Sequence, residues 1–128
     1  MLEKGIKGSA AVRVTTENTA LTMGSGELRV FATPALAALV EKACWQSVAA
    51  ELPAGCGTVG TRLELRHTAP TPVGMVVRCE CELTGVDDRR LTFTARMYDE
   101  KGEVGSADHE RFIVDNARFQ KKADAKAE

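Results

Sequence analysis

Aromatic side chains are scarce in this sequence: four Phe, one Tyr and one Trp, 5% of the chain. So few rings argue against the base-stacking platforms that bind single-stranded nucleic acid. An excess of charge is missing too. Seventeen Lys and Arg against 18 Asp and Glu give a net charge of −1, which advertises neither nucleic acid nor an anionic membrane. No apolar run approaches the roughly 20 residues that span a bilayer, and residues 1–8 lack the apolar core of a signal peptide. The four cysteines, Cys44, Cys56, Cys79 and Cys81, contain no C-x-x-C pair, which weakens metal-binding and thioredoxin-like readings. Reduced thiols without an export signal fit a cytoplasmic protein.

What is present is an ordinary globular composition, 44% hydrophobic and 27% charged over 128 residues. That length is one domain by size. Folding at this size buries roughly two thirds of the unfolded chain's surface, enough for a core. Residues 9–16 read as a first strand, and residues 17–32 as irregular, with Gly24-Ser25-Gly26 marking a loop. A helix follows, with Thr33 as its N-cap and Pro34 at its first position. It is expected to run to Glu51, because Pro53 and Gly55 stop it. Leu36, Val40, Cys44, Ser47 and Val48 share one side; Lys42, Gln46 and Ala49 lie opposite.

The period then changes from helical to alternating. Residues 58–68 place Val59, Thr61, Leu63, Leu65 and His67 on one face, with Arg62, Glu64 and Arg66 on the other. Residues 75–86 put Val77, Cys79, Cys81 and Leu83 inward, so the cysteines read as small buried hydrophobes. Asp87-Asp88 marks a hairpin turn. Leu91, Phe93, Ala95 and Met97 form the next inward face, Asp99-Glu100-Lys101-Gly102 turns the chain again, and residues 103–114 make the last long strand. Residues 116–128, rich in Lys, Ala, Asp and Glu, are expected as a flexible tail that frays or ends as a loose helix. The expected architecture is α+β: one long helix wrapped by a five-stranded antiparallel sheet, in a single domain over residues 1–128. Such a sheet leaves open edges, and joining two of them predicts a homodimer, with a tetramer as the larger form.

Three polar residues stand out. Glu41 interrupts the apolar helix, His67 lies on the apolar face of a strand, and Thr33 opens the helix. A carboxylate and an imidazole facing a core cost stability unless paired or used. Each has an ordinary alternative: a surface ion pair for Glu41, a satisfied structural histidine for His67, a cap for Thr33. Their convergence on one cleft favours acyl-transfer chemistry, with an imidazole that exchanges protons near neutrality beside a carboxylate and a hydroxyl. His109 and Arg111 share one face with Ala107 and Ile113; a structural role at a dimer seam is as good a reading, and neither is taken as catalytic. Arg118, Lys121, Lys122 and Lys126 read as a solvated charged tail rather than a phosphate site.

Phe31-Ala32-Thr33-Pro34-Ala35-Leu36-Ala37-Ala38-Leu39-Val40-Glu41 resembles the active-site helix of the fluoroacetyl-CoA thioesterase-like family, which has the hot-dog fold. So do Val59-Gly60-Thr61-Arg62-Leu63-Glu64-Leu65-Arg66-His67, then Thr71-Pro72-Val73-Gly74-Met75, and His109-Glu110-Arg111-Phe112-Ile113-Val114-Asp115. The likeness runs from about residue 9 to residue 115. It implies a hot-dog thioesterase that hydrolyses a short or small acyl-CoA, with Thr33, Glu41 and His67 as the catalytic set. It also implies substrate contacts from Gly60 and Phe31, a dimer with acyl-CoA near the subunit interface, and no cofactor, since coenzyme A is part of the substrate. One departure matters. Residues 18–30 lack the phenylalanine that lids the fluoroacetyl pocket in that family, which favours a generic acyl-CoA thioesterase. A non-catalytic acyl-CoA sensor and an acyl-CoA hydratase or dehydratase rank below hydrolysis.

Overall fold

The computed structural model describes residues 2–128. Five antiparallel strands form one sheet: β1 (Lys7–Arg13), β2 (Cys56–His67), β3 (Val76–Asp87), β4 (Arg90–Asp99) and β5 (Gly102–Asp115), in the spatial order β1-β3-β4-β5-β2. Three helices accompany them: the short α1 (Ala20–Met23), the long α2 (Thr33–Val48) and the C-terminal α3 (Asn116–Asp124). The long helix lies on the concave face of the sheet, giving the α+β hot-dog arrangement that the sequence predicts.

The apolar stripe of α2 explains its seat. Leu36, Leu39, Val40, Ala43, Cys44 and Val48 recur at helical spacing and are all buried. They meet Val77, Cys79, Cys81 and Leu83 of β3, and Leu91, Phe93, Ala95 and Met97 of β4, every one buried. The alternation that marks these strands therefore marks the core. β1 approaches the helix most closely at Gly8, where a Cβ would stand 2.5 Å from Ser47 Cβ and 3.1 Å from the Ala43 carbonyl. The helix ends at Val48 and continues as a 3-10 turn over Ala49–Glu51.

Two sequence expectations need correction. Thr33 is not the N-cap: Ala32 holds that place with extended φ −74° and ψ 140°, and no side chain caps the helix. Pro34, at the second helical position, has no N–H to be capped, so the Thr33 hydroxyl is free for other work. Second, β2 does not alternate strictly, because a bulge lies between Gly60 and Arg62. The extra residue, Thr61, inverts the faces ahead of it. Leu63, Leu65 and His67 keep the inward face. Before the bulge it is Thr58 and Gly60, not Val59 and Thr61, that face the helix, and Thr61 bonds Glu110 Oε2 at 2.6 Å. The stretch expected as a flexible tail or a loose helix is helical over Asn116–Asp124. Asp115 Oδ1 accepts from Arg118 N–H at 3.1 Å, and Lys121 and Lys122 occupy the negative end of the helix dipole.

Candidate active site

Two groups of polar residues line the helix–sheet junction, about 12 Å apart along α2, eight residues at ~1.5 Å each. The first is built on Thr33 and His67. Thr33 stands in the first turn of α2, and His67 is the last residue of β2, inward by alternation. Thr33 Oγ1 and His67 Nδ1 are 2.8 Å apart, a hydrogen bond between side chains 34 residues apart in sequence. They open onto a recess of about 280 Å³ walled by Ala20, Ser25, Val30, Phe31, Ala69 and Pro70. Phe31 is itself 1% exposed, so it forms the rigid back of this recess rather than a mobile lid. Its N–H is fixed to the Thr71 carbonyl at 2.9 Å.

His67 Nε2 is the one buried side-chain polar atom without a hydrogen-bond partner among the described residues. Leaving such an atom unmet costs about 1–3 kcal/mol, a cost compatible with an atom kept for a substrate. Burial pulls the His67 pKa below 6.5, and the Ala69 carbonyl opposes this only in part. The imidazole is therefore neutral at neutral pH.

The second group surrounds Glu41. Its carboxylate is half-exposed and lies against Gly60, where a Cβ would come within 2.7 Å of Glu41 Oε2. Arg111 Nη1 is 3.8 Å from Glu41 Oε2, a charge contact rather than a hydrogen bond. The Arg111 guanidinium is buried and held in one orientation. Nε donates to Thr58 Oγ1 at 2.7 Å, Nη2 to the Thr58 carbonyl at 2.8 Å, and Nη1 to His109 Nε2 at 3.2 Å. His109 Nδ1 donates to the Arg62 carbonyl at 2.7 Å, which fixes the neutral tautomer with Nε2 as acceptor. Burial, reinforced by Arg111, lowers the His109 pKa against the pull of the Arg62 carbonyl and the Glu41 and Glu110 carboxylates. Burial also lowers that of Arg111, which stays cationic.

Within one chain the structure thus joins Thr33 with His67, and sets Phe31 behind them. Glu41 and Gly60 belong to the other group. Arg111, set aside from the sequence together with His109, is the cation beside Glu41, and His109 helps to hold its guanidinium. The signal was in the alternation: a cation on the inward face with Ala107 needs a partner, and the inward face of α2 offers Glu41. Among the described residues no cluster of three His, Cys, Asp or Glu is placed to hold a metal ion.

Residues 14–117 match the family described as fluoroacetyl-CoA-specific thioesterase. A fluoroacetyl-CoA thioesterase from Streptantibioticus cattleyicolor is 39% identical over 93 residues, 73% of this chain and 67% of that protein. A solved fluoroacetyl-CoA thioesterase structure is 32% identical with a TM-score of 0.92, covering 98% of both chains. A threonine-to-serine variant of such an enzyme in complex with acetyl-CoA is 29% identical, TM-score 0.93, over 99% of this chain and 100% of that one. A Thermus thermophilus thioesterase-superfamily member, 24% identical with a TM-score of 0.88 over 100% of this chain and 98% of the other, shares the fold. By sequence match and by fold, the chain belongs to the fluoroacetyl-CoA-specific thioesterase family.

Proposed function

We propose that the protein is an acyl-CoA thioesterase, cleaving a short or small acyl-CoA to free acid and coenzyme A. The catalytic residues of this reading are Thr33, Glu41 and His67, in a homodimer. The observation that carries it is the Thr33–His67 hydrogen bond at 2.8 Å beside a small recess, with His67 Nε2 left buried and unmet.

The chemistry follows from that pair. The hydrogen bond between Thr33 Oγ1 and His67 Nδ1 fixes the ring, and with the proton on Nδ1 the unpartnered Nε2 lone pair serves as the base. Neutral because buried, the imidazole takes a proton from the attacking water and returns it to the departing thiolate. The Glu41 carboxylate holds that water as the C–S bond breaks. Where Glu41 attacks the carbonyl itself, the thiolate leaves an acyl–glutamate anhydride; the imidazole takes its proton from the water that opens it, and that water ends in the acid. The N–H groups that open α2, uncapped by any side chain, favour the developing oxyanion. A recess of about 280 Å³ suits a small acyl group, and residues 18–30, without a phenylalanine, support activity that is not confined to fluoroacetyl-CoA.

Glu41 reaches the pair through a second subunit. β2 is an edge strand of 12 residues with an unpaired outer side, the kind of edge that two copies join. A two-fold axis between Leu63 and Glu64 lays Gly60 of one strand opposite His67 of the other. Glu41, seated against Gly60, then approaches the neighbour's Thr33–His67 pair.

Thiol release from acetyl-, propionyl-, fluoroacetyl- and longer acyl-CoA tests the reading. The wild type is expected to liberate free coenzyme A, and His67→Ala and Glu41→Gln to lose roughly 10²–10⁴-fold in kcat/KM. Wild-type kinetics in both variants would show the site assignment to be wrong. Tight binding without thiol release would mark a sensor, and addition of water to an enoyl-CoA a hydratase.

A further inference from the structure

The segment between β2 and β3 reads Thr68-Ala69-Pro70-Thr71-Pro72-Val73-Gly74-Met75. Prolines on both sides of Thr71 stiffen it and remove the backbone donors there. Backbone bonds tie its ends: Thr68 N–H donates to the Val104 carbonyl at 2.8 Å, and Gly74 N–H to the Val14 carbonyl at 2.8 Å. Midway, Thr71 makes two bonds of its own. Its carbonyl accepts the Phe31 N–H at 2.9 Å, and its hydroxyl donates to Asp99 Oδ2 at 2.8 Å.

Thr71 is 0% exposed. A hydroxyl in a core costs stability unless it is bonded, and this one reaches across the fold to the turn between β4 and β5. The other Asp99 oxygen accepts the Lys101 N–H at 2.8 Å, which holds the carboxylate on that turn. The next residue, Glu100, accepts the N–H of Val76, where the segment enters β3, at 3.0 Å. Two neighbouring carboxylates of one turn therefore grip the segment. A hydroxyl bonded to a carboxylate makes a stronger hydrogen bond than two neutral groups do. Neither Asp99 nor Thr71 lines the recess beside Thr33 and His67, but both lead to its walls. The Thr71 carbonyl holds Phe31, and the proline-stiffened chain carries Ala69 and Pro70. The same chain borders His67, whose neutrality comes chiefly from burial.

We propose that Asp99 is a positioning residue for this site: through the Thr71 hydroxyl it sets the segment that walls the recess and shields the His67 imidazole. The kinetic consequence rests on the thioesterase reading above; the positioning itself does not.

Three variants test it. Thr71→Val is nearly isosteric and removes only the hydroxyl, Thr71→Ser keeps the hydroxyl, and Asp99→Ala removes the acceptor. Thr71→Val and Asp99→Ala are each expected to lower kcat on acetyl-CoA roughly tenfold, with KM within about twofold of the wild type. Thr71→Ser is expected to keep kcat within about twofold. The double variant Thr71→Val/Asp99→Ala should be no slower than the slower single one, since both changes break one bond. A second readout needs no turnover. The chain has two histidines, so an NMR titration separates His67 from His109. In Thr71→Val the His67 midpoint is expected to rise toward 6.5 as water reaches the ring, while that of His109 stays. An unmoved His67 midpoint in Thr71→Val overturns the proposal. So does an equal movement of both histidines, which marks general loosening, or losses that multiply in the double variant. A wild type that releases no thiol overturns the thioesterase reading alone, and the His67 titration still decides the positioning.

Discussion

Gly60 is the residue on which the position of Glu41 turns. An alanine there meets no forbidden backbone angle, since Gly60 is not among the positive-φ glycines, but its Cβ would stand 2.7 Å from Glu41 Oε2. That oxygen is the far end of a flexible, half-exposed side chain and swings away, but the same Cβ stands 3.3 Å from Arg111 Nη1 and from His109 Cε1, both buried and held by hydrogen bonds. Gly60→Ala is therefore expected to cost about 1–3 kcal/mol of stability, while kcat/KM falls by ~10²-fold or more; thermal melts and thiol release on one preparation check both. His67 sets the pH response. Its pKa is lowered, chiefly by burial, and the working form is neutral. Hence kcat/KM should be full above pH 6.5 and decline only below it, with a midpoint under 6.5 in the pH–rate profile. The same sign governs stability. His67 and His109 both have folded pKa values below their unfolded value of 6.5, so the unfolded chain binds more protons as the medium becomes acid. Their contribution is present above pH 6.5 and lost as pH falls toward the folded values. A Tm measured from pH 7.5 to 5.5 should hold and then drop.

At the scale of elements, β3 and β4 were legible because their apolar period of two is unbroken, and every inward residue read from it is buried. α2 was legible from its stripe and from the Pro and Gly that follow it. Two features were not. The β2 bulge leaves no mark in composition, and it moved Val59 and Thr61 off the face that alternation gave them. α3 is made of the same charged residues as a disordered tail, and only the Asp115 cap and its seat against Gly57 distinguish it. The candidate site divides the same way. The sequence set Thr33, Glu41 and His67 on one cleft, and the helix start and the inward strand end that carry Thr33 and His67 were visible in it. Their separation from Glu41 was not, since it depends on which end of β2 each group meets. The helix–sheet contact supplies a test of its own. At Gly8 an added Cβ meets Ser47 Cβ at 2.5 Å and the Ala43 carbonyl at 3.1 Å, neither of which has a flexible end to yield. Gly8→Ala should cost about 1–3 kcal/mol in urea unfolding, whereas the exposed Lys42→Ala on the far side of α2 should cost under ~0.5 kcal/mol.

For the whole molecule, the question is whether one site draws on two chains. Within a chain, Thr33 and Glu41 are separated by two turns of a rigid helix, about 12 Å, and no side-chain rotamer closes that gap. The open edge of β2 offers the remedy, because antiparallel joining reverses the strand and exchanges its ends. This has a consequence that stability or activity of single variants does not share. Glu41→Gln keeps an intact Thr33–His67 pair, and His67→Ala keeps an intact Glu41. If each site is built across the junction, a mixed dimer of the two variants contains one wholly native site and one doubly damaged one. Random exchange makes about half the dimers mixed, so remixing the two inactive proteins should restore about one quarter of wild-type kcat per mole of sites. If each chain supplied its own complete site, every site in the mixture would carry one lesion and nothing would return. The measurement is thiol release after co-refolding equal amounts of the two variants, with each refolded alone as the reference. Recovery of activity in the mixture alone places Glu41 and His67 on opposite sides of one interface.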